Sequence, residues 1–104
     1  MLLPRLVHAW HALPKAKDSL PESPAAYARR FFYDALVFDP GAVRFLVESF
    51  GASQIVIGSD YPFNMGDPDP RGTLEKAGFD AATLAAIVGA NALRFLGIGD
   101  ATAA

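Results

Sequence analysis

The stretch Gln54-Ile55-Val56-Ile57-Gly58-Ser59-Asp60-Tyr61-Pro62-Phe63 decides the fold. Ile55, Val56 and Ile57 run on without polar alternation, the pattern of a strand covered on both faces in a parallel sheet. Gly58 and Ser59 are small and leave room at the strand end, and Pro62 takes the chain out of the strand. Asp60 therefore stands at the C-terminal end of a buried strand. In parallel α/β folds ligands bind at that end, and in barrels it is the catalytic face. A carboxylate there suits a metal ligand or a general base. It equally suits the capping of the following turn. From the residues alone both readings of Asp60 stand.

The pattern on either side is strand alternating with helix. Upstream, Phe31 to Val37 is rich in aromatic and branched residues and predicts a strand. Asp39-Pro40 gives a cap followed by Pro at the first helical position. Apolar residues then recur at helical spacing to Phe50, and Gly51 is the stop. Ser23-Pro24 repeats the start signal and predicts a short helix over 24–30. Downstream, Tyr61 to Pro70 holds three prolines and a glycine and reads as a loop. A short helix over 70–77 follows. Asp80 then caps a last helix ending at Gly97, and Thr102 to Ala104 should fray. The first 23 residues carry no firm helical signature, and Pro14, Pro21 and Pro24 predict loop. The expected organisation is one partial domain over 1–104: irregular over 1–23, strand–helix units over 24–98, and a tail over 99–104.

Strands alternating with helices argue for parallel pairing with crossovers. Two parallel strands leave open edges, and three or more are normally needed. Either the chain completes its sheet by association or it is part of something larger.

Composition narrows the function. Apolar residues make up 52% of 104, enough for a core, and the net charge is −2 with nine scattered Lys and Arg. That gives no basic stripe for nucleic acid and no polybasic membrane patch. There is no Cys, hence no disulfide and no thiolate metal site. The start has no signal-peptide pattern, and no apolar run nears the roughly 18 residues of a membrane span. The cytoplasm is the expected location. No Gly-rich phosphate loop and no Ser nucleophile elbow is present.

Other candidates carry plainer readings beside the functional ones. Asp34, in mid-strand, reads by default as a polar residue tied to a neighbouring backbone or Arg. His8 and His11, spaced i, i+3, would make a three-ligand zinc site with Asp60, though such a pair is more often polar surface. Arg5 suits a substrate anion, and a lone Arg there reads by default as surface. Asp67-Pro68-Asp69-Pro70 reads as a structural acidic turn, since a calcium loop needs more oxygen ligands at closer spacing.

As a set, Phe32-Tyr33-Asp34-Ala35-Leu36-Val37, Asp39-Pro40, Ile57-Gly58-Ser59-Asp60-Tyr61-Pro62-Phe63 and Gly89-Ala90-Asn91-Ala92 resemble the C-terminal third of the amidohydrolase-related family. The resemblance covers about Arg5 to Ile98. It implies an α/β chain that forms the C-terminal part of a metal-dependent (β/α)8 TIM barrel, with 31–37 as strand 7 and 54–59 as strand 8. It implies a divalent metal, usually zinc, and decarboxylation or hydrolysis of a small carboxylate substrate. Asp60 matches the strand-8 aspartate at the metal and its activated water. Arg5 is similar to an arginine that reaches a substrate carboxylate in the neighbouring subunit, which implies a homodimer. The family's His-x-His of strand 1 and its histidines of strands 5 and 6 have no counterpart here, and Phe38 stands where the family often has His. A full barrel takes about 250 residues, so the chain alone is expected to be inactive and to hold zinc poorly. The alternative from another class is a non-enzymatic module that completes its sheet by oligomerisation.

Overall fold

A computed structural model describes residues 2–98. The expected tail over 99–104, with the fraying of Thr102 to Ala104, lies outside the described residues. The chain divides into two units, one ending at Phe31 and one beginning at Phe32.

The first unit corrects the expectation of irregular chain over 1–23. It contains α1 (Leu3–Ala12), α2 (Ala16–Ser19) and α3 (Pro24–Ala28). No side chain caps α1, which is why its start is hard to read, but Pro4 sits in its first turn. What holds the segment is tertiary. The Trp10 Nε1–H donates to the Leu20 carbonyl at 2.7 Å, and Lys17 lies over the indole at 4.9 Å. Ser23 caps α3 as expected, its hydroxyl accepting from the Ala25 amide. None of these three helices contains a buried residue.

The second unit holds the core. Its order is β1 (Tyr33–Asp34), α4 (Pro40–Phe50), a 3-10 turn (Ala52–Gln54), β2 (Ile55–Val56), α5 (Pro70–Glu75), α6 (Ala81–Ala85), a π turn (Ala86–Ala90) and α7 (Asn91–Leu96). The strands pair in parallel, Tyr33 opposite Ile55 and Asp34 opposite Val56, as strands joined by a crossover helix should. Both are shorter than the sequence predicts, two residues each. The reason is local at β1: the Asp34 carboxylate accepts the Leu36 amide at 2.9 Å, an Asx turn that bends the chain off the ladder. Asp34 is exposed, so its plain reading as a residue tied to neighbouring backbone describes what is seen.

Helix α4 follows its sequence signals closely. Asp39 accepts from the Ala42 amide at 2.8 Å, Pro40 opens the helix, and Gly51 at φ 92° ends it in a conformation open to glycine. Asp69 and Asp80 cap α5 and α6 in the same way. Hydrogen bonds from Thr83 hold the Asp80 carboxyl below its ordinary 3.8. The expected last helix is one helical run, but the π turn interrupts it between α6 and α7. The core is Ala35, Val43, Phe50, Ile55, Leu74, Ala77 and Ile87, with Asn91 the one buried polar residue among those described. Tyr33 stacks on Phe50 with ring centroids 4.2 Å apart, which presses β1 onto α4.

Candidate active site

Both strands end in the same way. A few residues past β1, Phe38 has φ 60°, and past β2, Asp60 has φ 55°. Left-handed backbone at a residue other than glycine costs on the order of 1–3 kcal/mol and gathers at functional sites. Asp tolerates it better than Phe, because its short polar side chain can bond locally.

The Asp60 side chain does no such local bonding. The turn that follows is capped by its neighbour, for the Ser59 hydroxyl accepts the Tyr61 amide at 3.2 Å. The Asp60 carbonyl accepts the Phe63 amide at 2.8 Å, and the Ser59 carbonyl accepts the Asp67 amide at 2.8 Å. These bonds draw 59–67 into a tight loop with a cis Tyr61-Pro62 bond. Gly66 sits so close that a Cβ there would lie 2.6 Å from the Ser59 carbonyl oxygen. Asp34, Asp39, Asp67, Asp69 and Asp80 all commit their carboxylates to caps, turns or the Thr73 hydroxyl. Asp60 is exposed, and among the described residues its carboxylate has no donor. The capping reading of Asp60 therefore finds no support in the geometry.

Beside it lies an open recess of about 310 Å³, lined by Ser59, Tyr61, Pro62, Phe63, Asn64, Gly66, Asp67 and Pro68. Its walls combine apolar rings with a few polar groups, and Asp60 is not among the residues that line it. The strands also approach closely here. A Cβ on Gly58, just past β2, would meet the Asp34 Cβ at 3.2 Å, a tight contact that the neighbouring side chain would have to relieve by a few tenths of an ångström. The sequence reading expected Asp60 at a strand end with room left by Gly58 and Ser59; Ser59 lines the recess, whereas Gly58 lies against Asp34. The reading missed Ser59 as the capping group, for which the Ser-Asp-Tyr-Pro order was the available signal. It also took Asn91 only as a marker of resemblance, not as a buried anchor.

The remaining candidates lie in the first unit. Arg5 is exposed in α1, and among the described residues its guanidinium has no partner. His8 and His11 are exposed on the same helix, and His11 packs against Trp10 with ring centroids 4.9 Å apart. Among the described residues no three His, Asp or Glu side chains gather as a metal-binding group. The described residues therefore do not by themselves fit a metal centre. No helix among the described residues is long and apolar enough to cross a membrane.

Sequence comparison supplies the family. A family model described as amidohydrolase matches residues 5–98. The chain belongs to the amidohydrolase family. This amidohydrolase chain is 35% identical over 96 residues to a 2-amino-3-carboxymuconate-6-semialdehyde decarboxylase of Dictyostelium discoideum, covering 90% of this chain and 27% of that protein. A decarboxylase of the same name from Caenorhabditis elegans is 33% identical over 64 residues, 61% of this chain and 16% of that protein. The amidohydrolase chain thus spans about a quarter or less of the curated relatives it matches.

Proposed function

We propose that this chain supplies strands 7 and 8, with their helices, to a metal-dependent (β/α)8 barrel that acts as a carboxy-lyase on a small carboxylate substrate. The observation that carries it is the Asp60 carboxylate, exposed, without a donor among the described residues, and held in a left-handed turn past a parallel strand. The two decarboxylases similar to this chain support the choice of carboxy-lyase over hydrolase. Amidohydrolases generally use a divalent metal. Asp60 would be one ligand, and the other ligands would come from outside residues 2–98, given the missing cluster within them.

Asp60 also has chemistry of its own. In decarboxylation the bond between a substrate carbon and its carboxylate carbon breaks, CO₂ leaves, and the electron pair stays on carbon. That carbon must then receive a proton, which would come from a water molecule oriented by Asp60 Oδ, the hydroxide left behind combining with CO₂ as bicarbonate. Arg5 would orient a substrate carboxylate in a neighbouring subunit of a homodimer, as a guanidinium fork pairs with a carboxylate.

The test is CO₂ release by the full-length barrel from small unsaturated or aromatic carboxylic acids, with and without exhaustive chelation. Release that chelation abolishes is the expected outcome. Hydrolysis without CO₂ from any such acid would overturn the carboxy-lyase reading.

A further inference from the structure

The two strands leave β2 with an outer edge, and that edge is occupied in an unusual way. Val56 turns its peptide toward β1, its carbonyl accepting the Ala35 amide at 2.8 Å. Peptide groups alternate along a strand, so those of Ile55 and Ile57 face the other way. There the Ile55 carbonyl accepts from the Asn91 Nδ2 at 2.7 Å, and the Ile57 amide donates to the Ile87 carbonyl at 3.0 Å. The second Asn91 donor reaches the Ala52 carbonyl at 2.7 Å.

The π turn makes this contact available. In an α-helix the Asn91 amide would bond the Ile87 carbonyl, four residues back. Here it bonds the Ala86 carbonyl, five back, and the Ile87 carbonyl turns to the strand. Such single π turns are frequent at functional sites. Asn91 is 2% exposed. Its Oδ1 accepts from Arg94 Nη1 at 3.2 Å. The same guanidinium bonds the Ser53 carbonyl and lies 5.3 Å over the Phe32 ring. From Ile57 only Gly58 and Ser59 intervene before Asp60, about 10 Å of extended chain.

We propose that Asn91 is a positioning residue for Asp60. It touches no reacting atom. It pins the root of β2 from the helix side while β1 holds the other edge, and so sets where the Asp60 carboxylate stands. This rests on the reading of Asp60 as a catalytic carboxylate.

The test compares Asn91→Ala and Asn91→Ser with the unchanged full-length barrel, reading kcat and KM separately at a temperature where circular dichroism shows each variant folded. A displacement near 1 Å costs on the order of 100-fold in rate, so kcat of Asn91→Ala should fall by that order with KM nearly unchanged. Asn91→Ser, which keeps one donor, should recover part of the loss. Unchanged kcat in folded Asn91→Ala, or a fall that only follows the unfolded fraction, overturns the proposal. Should Asn91→Ala not fold, the unchanged full-length barrel decides by NMR. A scalar coupling across the hydrogen bond from the Asn91 Nδ2 to the Ile55 carbonyl carbon is expected, and its absence overturns the proposal. The two readings fail separately. Full turnover in Asp60→Asn removes the basis at Asp60, whereas an inactive Asp60→Asn beside a fully active Asn91→Ala overturns only the role of Asn91.

Discussion

Asp60→Asn in the full-length barrel is expected to lower kcat on the order of 1000-fold, the middle of the range for losing a positioned acid–base group. The amide keeps the size and the strand-end position but can neither carry a proton nor offer a charged oxygen. Nothing in the local fold depends on the lost charge. Ser59 caps the turn, the Asp60 contribution to the loop is its carbonyl, and no donor meets its carboxylate among the described residues. The variant should therefore melt close to the unchanged protein. Steady-state kinetics beside a thermal melt check both halves. Near-normal turnover in Asp60→Asn would sink the proposed role.

The second large effect is on stability. Ile87 is fully buried in the π turn beside β2, and Ile87→Ala should destabilise the fold by about 3–4 kcal/mol. Small domains hold roughly 5–15 kcal/mol in all, so the loss is a large part of the total. The cost has two sources, the lost transfer of the side chain from water and the cavity left between β2 and the helical run. Phe95→Ala is the contrast. Phe95 carries a larger side chain but is 63% exposed, and its ring packs at a steep angle to that of Phe32 with centroids 5.0 Å apart. It should cost about 1 kcal/mol or less. Urea titration of the two variants measures the difference, and equal midpoints would contradict this account of the core.

Signals that act within a few residues of their own position were legible in the sequence. Asp39-Pro40 with Gly51 bounds α4, and Ser23-Pro24 starts α3. Parallel pairing followed from strands separated by a helix. Signals that depend on distant partners were not legible. α1 has no capping side chain, and Trp10 steadies the segment by reaching Leu20. β1 ends early because Asp34 captures the Leu36 amide, a choice that strand propensity does not report. Residues 86–90 have ordinary helical spacing, so the π turn cannot be seen in them. It accompanies a bond from the Ile57 amide, some thirty residues upstream. At the site, the strand end located Asp60. Its freedom from capping depends on Ser59 taking that task, and only the structure shows it.

The central proposal makes Asp60 one member of a metal centre whose other members would lie outside residues 2–98. Metal analysis of two purified proteins, the 104-residue chain and the full-length barrel, tests it most directly. Stoichiometric zinc or another divalent ion in the full-length protein, reduced in Asp60→Asn, with only substoichiometric metal in the 104-residue chain, is the expected result. Stoichiometric zinc in the 104-residue chain, lost in His8→Ala, would contradict it.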